Sequence, residues 1–271
     1  MDLPQVATLL LNLDRGVLHL TLNRPESRNA MSAEMLSDLG RVFETIRDSR
    51  EVRAVVLRGA GGHFCAGADL KSMMGGGIKP PLPGEADPIA GVNRAFGAML
   101  RQVAQAPQVV IAVCEGAVLG GGFGLACVSD IAFAHTDARF GMPETTRGLP
   151  PAQIAPFVVE RIGLTQARCL CLTGAQFRGA EALRLGLVHE CFDNEEELQA
   201  RLGETLAQVM QCAPQANALT KQILLRVGSQ VTDGVLDDAA AKFASCVRGP
   251  EAPEGIAAFM QKRSPKWAQT G

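Results

Sequence analysis

Two runs of small residues constrain this chain more than anything else in it: Phe64-Cys65-Ala66-Gly67-Ala68-Asp69-Leu70 and Gly116-Ala117-Val118-Leu119-Gly120-Gly121-Gly122. Each follows an apolar run of β character and precedes a helical pattern. Side chains this small let the backbone approach a ligand closely, and the N–H groups that open a helix have no partner inside it. Two such turns brought face to face would aim a pair of N–H donors at one oxygen, an oxyanion hole. Taken separately, each is equally a tight turn that binds nothing. The demand on the fold is therefore that strands deliver both turns to one place.

The surrounding pattern can do this. Val6–Leu13 and Val17–Leu22 flank Asp14-Arg15-Gly16 as a hairpin. Ser32 is placed to cap a helix over Ala33–Asp48, where Met35, Leu36, Leu39, Val42, Phe43 and Ile46 recur at helical spacing. A strand is predicted over Arg53–Leu57, a helix over Val92–Gln105, a strand over Val109–Cys114, a short helix after Gly120–Gly122 and a strand over Asp130–Ala134. From Leu149 onward the pattern is helical: Ala152–Ile162, Thr165–Leu172, Ala180–Leu185, Glu195–Gln211, Pro214–Val227, Val235–Cys246 and Glu254–Lys262. The expectation is an α/β (α+β) core over residues 1–195 with a helical region over 196–271. Gly- and Pro-rich Gly75–Pro88 reads as a surface loop, placed to shape a variable pocket.

Composition narrows the partners. Lys plus Arg number 26 against 28 Asp plus Glu, which gives no reason to expect a nucleic-acid partner. No apolar run reaches the ~20 residues of a membrane span, and Met1-Asp2-Leu3-Pro4 does not open a signal peptide, so a cytoplasmic protein is expected. The eight cysteines show no C-x-x-C spacing and read as buried free thiols, Cys127 among them. His19, His63, His135 and His189 are scattered, so no metal site is expected.

Asn23-Arg24-Pro25-Glu26 with Asn29-Ala30-Met31, then Ala66–Leu70, then Gly120–Gly122, then Phe140-Gly141-Met142-Pro143-Glu144 resemble, in order and spacing, the enoyl-CoA hydratase/isomerase (crotonase) family. The likeness runs to Gly255-Ile256-Ala257-Ala258-Phe259-Met260-Gln261-Lys262. It implies a crotonase-type spiral of β-β-α repeats, a homotrimer or dimer of trimers, and an acyl-coenzyme A thioester as substrate, with no separate cofactor. The resemblance puts the oxyanion donors at the N–H groups of Ala68 and Gly121, and Ala66, Ala68, Asp69 and Leu70 along the ligand. Lys71 matches a position that can meet the CoA phosphates. Phe259 and Lys262 match residues that reach the CoA of a neighbouring subunit. Surface charge for the two lysines and core packing for Phe259 are the plain alternatives.

Drawing a thioester towards an enolate puts negative charge on its oxygen, and preorganised N–H donors stabilise that charge more than they stabilise the ground state. Proton transfer needs a side chain as well. Hydratases of the best-known type in the family hold a water between two glutamates. One matches Glu144 here, and the other position is occupied by Gly124. Beside apolar positions, Glu144 is expected to be partly buried, with a raised pKa suited to acid–base exchange.

One glutamate suffices to shuttle a proton between α and γ carbons, as in a double-bond isomerase, or to activate a water for hydration. The run Arg147-Gly148-Leu149-Pro150-Pro151-Ala152-Gln153-Ile154-Ala155-Pro156-Phe157-Val158-Val159 resembles bacterial hydratases of 3-substituted glutaconyl-CoA esters, the methylglutaconyl and isohexenylglutaconyl enzymes of leucine and acyclic terpene breakdown. That subgroup is similar also in carrying glycine at the first glutamate position. The resemblance favours a hydratase. A second substrate carboxylate would need a cationic partner, for which Arg147 and Arg28 are the candidates. A non-catalytic CoA-binding homologue is the remaining alternative.

Overall fold

The computed structural model describes residues 1–69, 84, 85, 87–227 and 232–268. Leu70, Lys71 and most of the expected Gly75–Pro88 loop lie outside the described residues.

The chain opens with the hairpin of β1 (Leu9–Asp14) and β2 (Val17–Leu22). Its two-residue loop holds Arg15 and Gly16 at φ 43° and 81°. Positive φ at both central residues matches the twist of the flanking strands, as in a type I′ turn. Parallel strands then extend the sheet from β2: β3 (Ala54–Gly59), β4 (Val109–Cys114), β6 (Ile131–His135) and β9 (Glu190–Phe192). A smaller sheet joins β5 (Ala117–Leu119), β7 (Arg139–Gly141) and β8 (Gln176–Arg178).

The central strands β3, β4 and β6 are buried on both faces, so they alternate between two cores. Val55, Leu57, Val110, Ala112, Cys114, Ala132 and Ala134 face the larger one. There they meet α1 (Ala33–Ile46), through Met35, Leu39, Val42 and Phe43, and α2 (Pro88–Ala104), through Met99, Leu100 and Val103. The intervening Val56, Ile111, Val113 and Phe133 face the smaller core, closed by Leu198 and Leu202. Those leucines belong to α6 (Glu195–Gln211). The expected cap is present: Ser32 Oγ accepts from the Met35 N–H at 3.2 Å.

Between the sheets runs α3 (Gly121–Val128), every residue of which is buried. Phe123 on it meets Phe140 and Phe177 edge-on at 6.3 and 6.1 Å, fixing α3 to the small sheet.

The second half departs from the purely helical expectation. The two helices anticipated over 152–162 and 165–172 are present as the two halves of α4 (Ala155–Thr173), divided at Gly163, where φ is 76° and ψ 158°. Strands β8 and β9 also fall there, each only three residues long. A span this short has no period to detect, and its pairing partners are distant in sequence. After α5 (Gly179–Arg184) and α6 come α7 (Pro214–Arg226), α8 (Asp233–Arg248) and α9 (Glu251–Met260). All eight cysteines are free, but only Cys65, Cys114 and Cys127 are buried, while Cys169 and Cys212 are exposed. No helix among the described residues is long and apolar enough to cross a membrane.

Candidate active site

The first small-residue run leaves β3, passes the Gly61 and Gly62 turn and is stitched to β5. The Cys65 N–H donates to Ala117 O at 2.8 Å, and the Leu119 N–H returns to Cys65 O at 2.9 Å. On its other side the run pairs with residues 28–31. The Ala66 N–H donates to Arg28 O at 3.0 Å, the Met31 N–H to Gly67 O at 2.8 Å and the Asp69 N–H to Met31 O at 2.9 Å. Ala68 itself is exposed, and its N–H donates to no group among the described residues.

The second run bends at Gly120, whose φ of 48° and ψ of −111° turn the chain from β5 into α3. Only glycine accepts that conformation without strain. The crowding is equally restrictive: a Cβ on Gly120 would stand 2.5 Å from Glu144 Oε1 and 3.5 Å from Gly67 Cα. The two turns and the Glu144 carboxylate therefore meet at one point. Gly121 opens the helix, so its N–H has no partner within it, and none is found for it among the described residues. The positive end of α3 adds to the field there. Met31 Sδ and Phe96 wall this spot: a Cβ on Gly121 would lie 2.9 and 3.4 Å from them.

Glu144 sits in the single-turn helix Pro143–Arg147, half-buried. Its Oε2 is buried and accepts no hydrogen bond among the described residues. Burial pushes the carboxyl above its ordinary range, against smaller lowering effects of its own backbone N–H and of Arg147. With Oε2 accepting nothing among the described residues, the carboxylate has spare capacity to take up a proton.

Gly124 lies one turn into α3, its N–H donating to Gly120 O at 3.0 Å. The space a side chain would enter there is filled. A Cβ would lie 3.2 Å from Leu100 Cδ1 and 3.5 Å from Ile154 Cγ1. The nearest neighbours of that position are hydrocarbon, and no carboxylate of the described residues is among them.

The remaining candidates are spread out. Arg147 is exposed and within electrostatic reach of Glu144. Arg28 is exposed on the far side of the Ala66 pairing, where it and Arg139 depress the pKa of His63 after the larger effect of burial. Phe259 is 85% exposed on α9, and Lys262 follows that helix at φ 53°. Asp69 is paired to Arg24 at 2.9 Å. Asp130 has a structural place: its Oδ2 accepts from the Val110 N–H at 2.7 Å and pairs with Lys221. Burial raises the thiol pKa of Cys127, so it is no nucleophile at neutral pH. Sequence reasoning missed the walls, Met31, Phe96, Leu100 and Ile154. The helix expected over Val92–Gln105 contains Leu100, but nothing local to it says that it covers Gly124.

The family profile for enoyl-CoA hydratase/isomerase matches residues 12–270. The chain belongs to the enoyl-CoA hydratase/isomerase family. Among solved structures it is similar to Pseudomonas aeruginosa AtuE, with 57% identity, a TM-score of 0.91 and coverage of 97% of this chain and 100% of that one. It is likewise similar to an enoyl-CoA hydratase/isomerase from Marinobacter aquaeolei, with 55% identity, a TM-score of 0.92 and coverage of 97% and 99%. The mixed α/β fold is thus of the crotonase type. Relatives named for different reactions match at comparable distance. Human enoyl-CoA hydratase domain-containing protein 2, mitochondrial, is 34% identical over 94% of this chain and 86% of its own length. The 1,2-epoxyphenylacetyl-CoA isomerase of Escherichia coli is 30% identical over 96% and 97%. Membership accounts for a hydratase or isomerase role on an acyl-CoA and leaves the reaction to the site itself.

Proposed function

We propose that the chain is an enoyl-CoA hydratase that adds water across the double bond of an α,β-unsaturated acyl-CoA with Glu144 as its one catalytic carboxylate. The carrying observation is that a half-buried Glu144, whose Oε2 accepts no hydrogen bond among the described residues, stands at the meeting point of two turns whose Ala68 and Gly121 N–H groups have no acceptor among those residues. In this reading the thioester oxygen accepts from both N–H groups. Glu144 takes a proton from a water as its oxygen bonds to C3, and the electron pair of the double bond moves into the enolate held by the N–H pair. Protonated Glu144 then returns the proton to C2, so that one water is added in all and the carboxylate is regenerated.

A 3-substituted glutaconyl-CoA is the substrate class we favour, on the likeness of the Arg147–Val159 run to hydratases of such esters. Arg147, exposed beside Glu144, supplies the cation for the second carboxylate. The same chain assembles as a trimer or dimer of trimers in this reading. Support comes from the exposed apolar side chains of α7 to α9: Leu224, Leu236, Phe243, Ile256, Phe259 and Met260. In such an assembly Phe259 and Lys262 reach the CoA of a neighbouring subunit.

A panel of enoyl-CoA thioesters, followed by the conjugated enoyl absorbance, tests the proposal. Loss of conjugation with uptake of water is the expected result. Gain of conjugation from a 3-enoyl thioester without water uptake would make the chain an isomerase, with Glu144 carrying the proton from the α to the γ carbon. Tight CoA binding without turnover of any thioester would leave only a binding protein.

A further inference from the structure

An oxyanion donor is useful only if its backbone is held in one direction, and Ala68 has few means of its own. It stands opposite Met31 in an isolated parallel bridge, and the backbone bonds that fix residues 66–69 laterally all run to the Arg28–Met31 segment. That segment is itself costly. Arg28 and Asn29 lie at φ 52° and 57°, two successive non-glycine residues in the left-handed region, which costs Arg28 about 1–2 kcal/mol and asparagine, which visits that region more readily, less. Two side chains hold it there. The buried Asn29 accepts from the Arg24 N–H at 2.9 Å and donates to Ala60 O and His63 O at 2.9 and 2.6 Å. Arg24 uses both ends of its fork: Nη1 donates to Ala30 O and Nη2 to Asp69 Oδ2 at 2.9 Å. Ala30 immediately precedes Met31, and Asp69 immediately follows Ala68. The guanidinium therefore straddles the Met31–Ala68 bridge, gripping the residue before it on one strand and the residue after it on the other. Its side chain is only 23% exposed and that of Asp69 16%, so the pair is better shielded than a surface ion pair.

We propose that Arg24 is a positioning residue that aims the Ala68 N–H at the thioester oxygen by clamping both sides of this bridge. The inference rests on the reading of Ala68 and Gly121 as the thioester oxygen's donors. Loss of a whole oxyanion donor lowers kcat by roughly 100- to 1000-fold. A donor left in place but free to swing is expected to lose part of that, about 10- to 100-fold in kcat, with KM changed by less than about threefold. Lysine keeps the charge but carries its donors on one nitrogen and lacks the planar fork that spreads them over two, so Arg24→Lys falls between Arg24→Ala and wild type.

The test compares wild type, Arg24→Ala and Arg24→Lys in turnover of an enoyl-CoA and in the 13C NMR shift of butyryl-CoA labelled at the thioester carbonyl. Polarisation of the carbonyl by two donors moves its resonance downfield on binding. Arg24→Ala is expected to bind the labelled thioester, lose most of that displacement, and regain kcat on addition of methylguanidinium. Thermal melting gives the folded fraction, and kcat is expressed per folded molecule. Wild-type kcat and carbonyl shift in Arg24→Ala would overturn the positioning role, as would a loss that follows the folded fraction alone. If Arg24→Ala does not fold, Arg24→Lys decides by the same two readouts. A wild-type protein that binds butyryl-CoA with no carbonyl displacement would instead sink the oxyanion reading itself.

Discussion

Replacement of Glu144 by glutamine isolates the proton-transfer component of the proposed reaction. Gln is isosteric, and the Oε2 it modifies has no partner among the described residues, so no hydrogen bond is broken. The N–H groups of Ala68 and Gly121, which have no acceptor among the described residues, belong to other segments and are untouched. The loss is therefore that of general acid–base catalysis alone, ~100- to 10,000-fold in kcat, or about 2.7–5.4 kcal/mol of barrier. KM changes little. The pH dependence follows from burial, which raises the Glu144 pKa. The base must be ionised to accept the proton, so wild-type activity falls as pH drops through a value above the ordinary glutamate pKa of about 4.3. The variant has no such limb. Stability moves in a linked direction. A raised folded-state pKa contributes stability below the unfolded pKa and loses it as pH rises through the folded one. Glu144→Gln is therefore expected to melt higher than wild type on the neutral side, with the gain shrinking in acid. Initial rates by enoyl absorbance from pH 4 to 9, with melting curves at each pH, measure both effects. A Glu144→Gln protein turning over at the wild-type rate, or keeping the same low-pH limb, would refute the single-carboxylate mechanism.

Arg147→Ala removes a charge that lowers the Glu144 pKa. Its low-pH limb should move upward, and KM for a glutaconyl thioester should rise while KM for a crotonyl thioester stays put. An unchanged glutaconyl KM takes Arg147 out of the account. Gly124→Glu does not restore a two-carboxylate site, because its Cβ meets Leu100 at 3.2 Å and Ile154 at 3.5 Å. Overpacking of about 1–3 kcal/mol is expected, seen as a lower melting temperature without a gain in kcat. Ser32→Ala removes the cap on α1, worth about 1 kcal/mol, and should lower the melting temperature at constant kcat per folded molecule.

Long, periodic elements were legible before any coordinates. The apolar spacing of α1, its Ser32 cap, the Val109–Cys114 strand and the Glu195–Gln211 helix are local properties. The motifs too could be read one segment at a time, as small residues before a helix and a glutamate after Pro143. The short strands β8 and β9 were not legible, since three residues form a strand only when a distant edge supplies their hydrogen bonds. The division at Gly163 was legible for a local reason: a glycine between two amphipathic stretches reads as a boundary, and the backbone there is non-helical.

The two small-residue runs show where the division falls. By itself the sequence determined that Phe64–Leu70 and Gly116–Gly122 leave N–H groups near a helix start or turn, and that one expected carboxylate is glycine. Only the tertiary structure decided that Gly67, Gly120 and Glu144 converge, that Leu100 and Ile154 close the space at Gly124, and that Arg24 spans the Met31–Ala68 bridge. The physical reason is range. Side-chain size and backbone preference are set by a residue and its neighbours, whereas convergence depends on sheet register, which pairs segments dozens of positions apart.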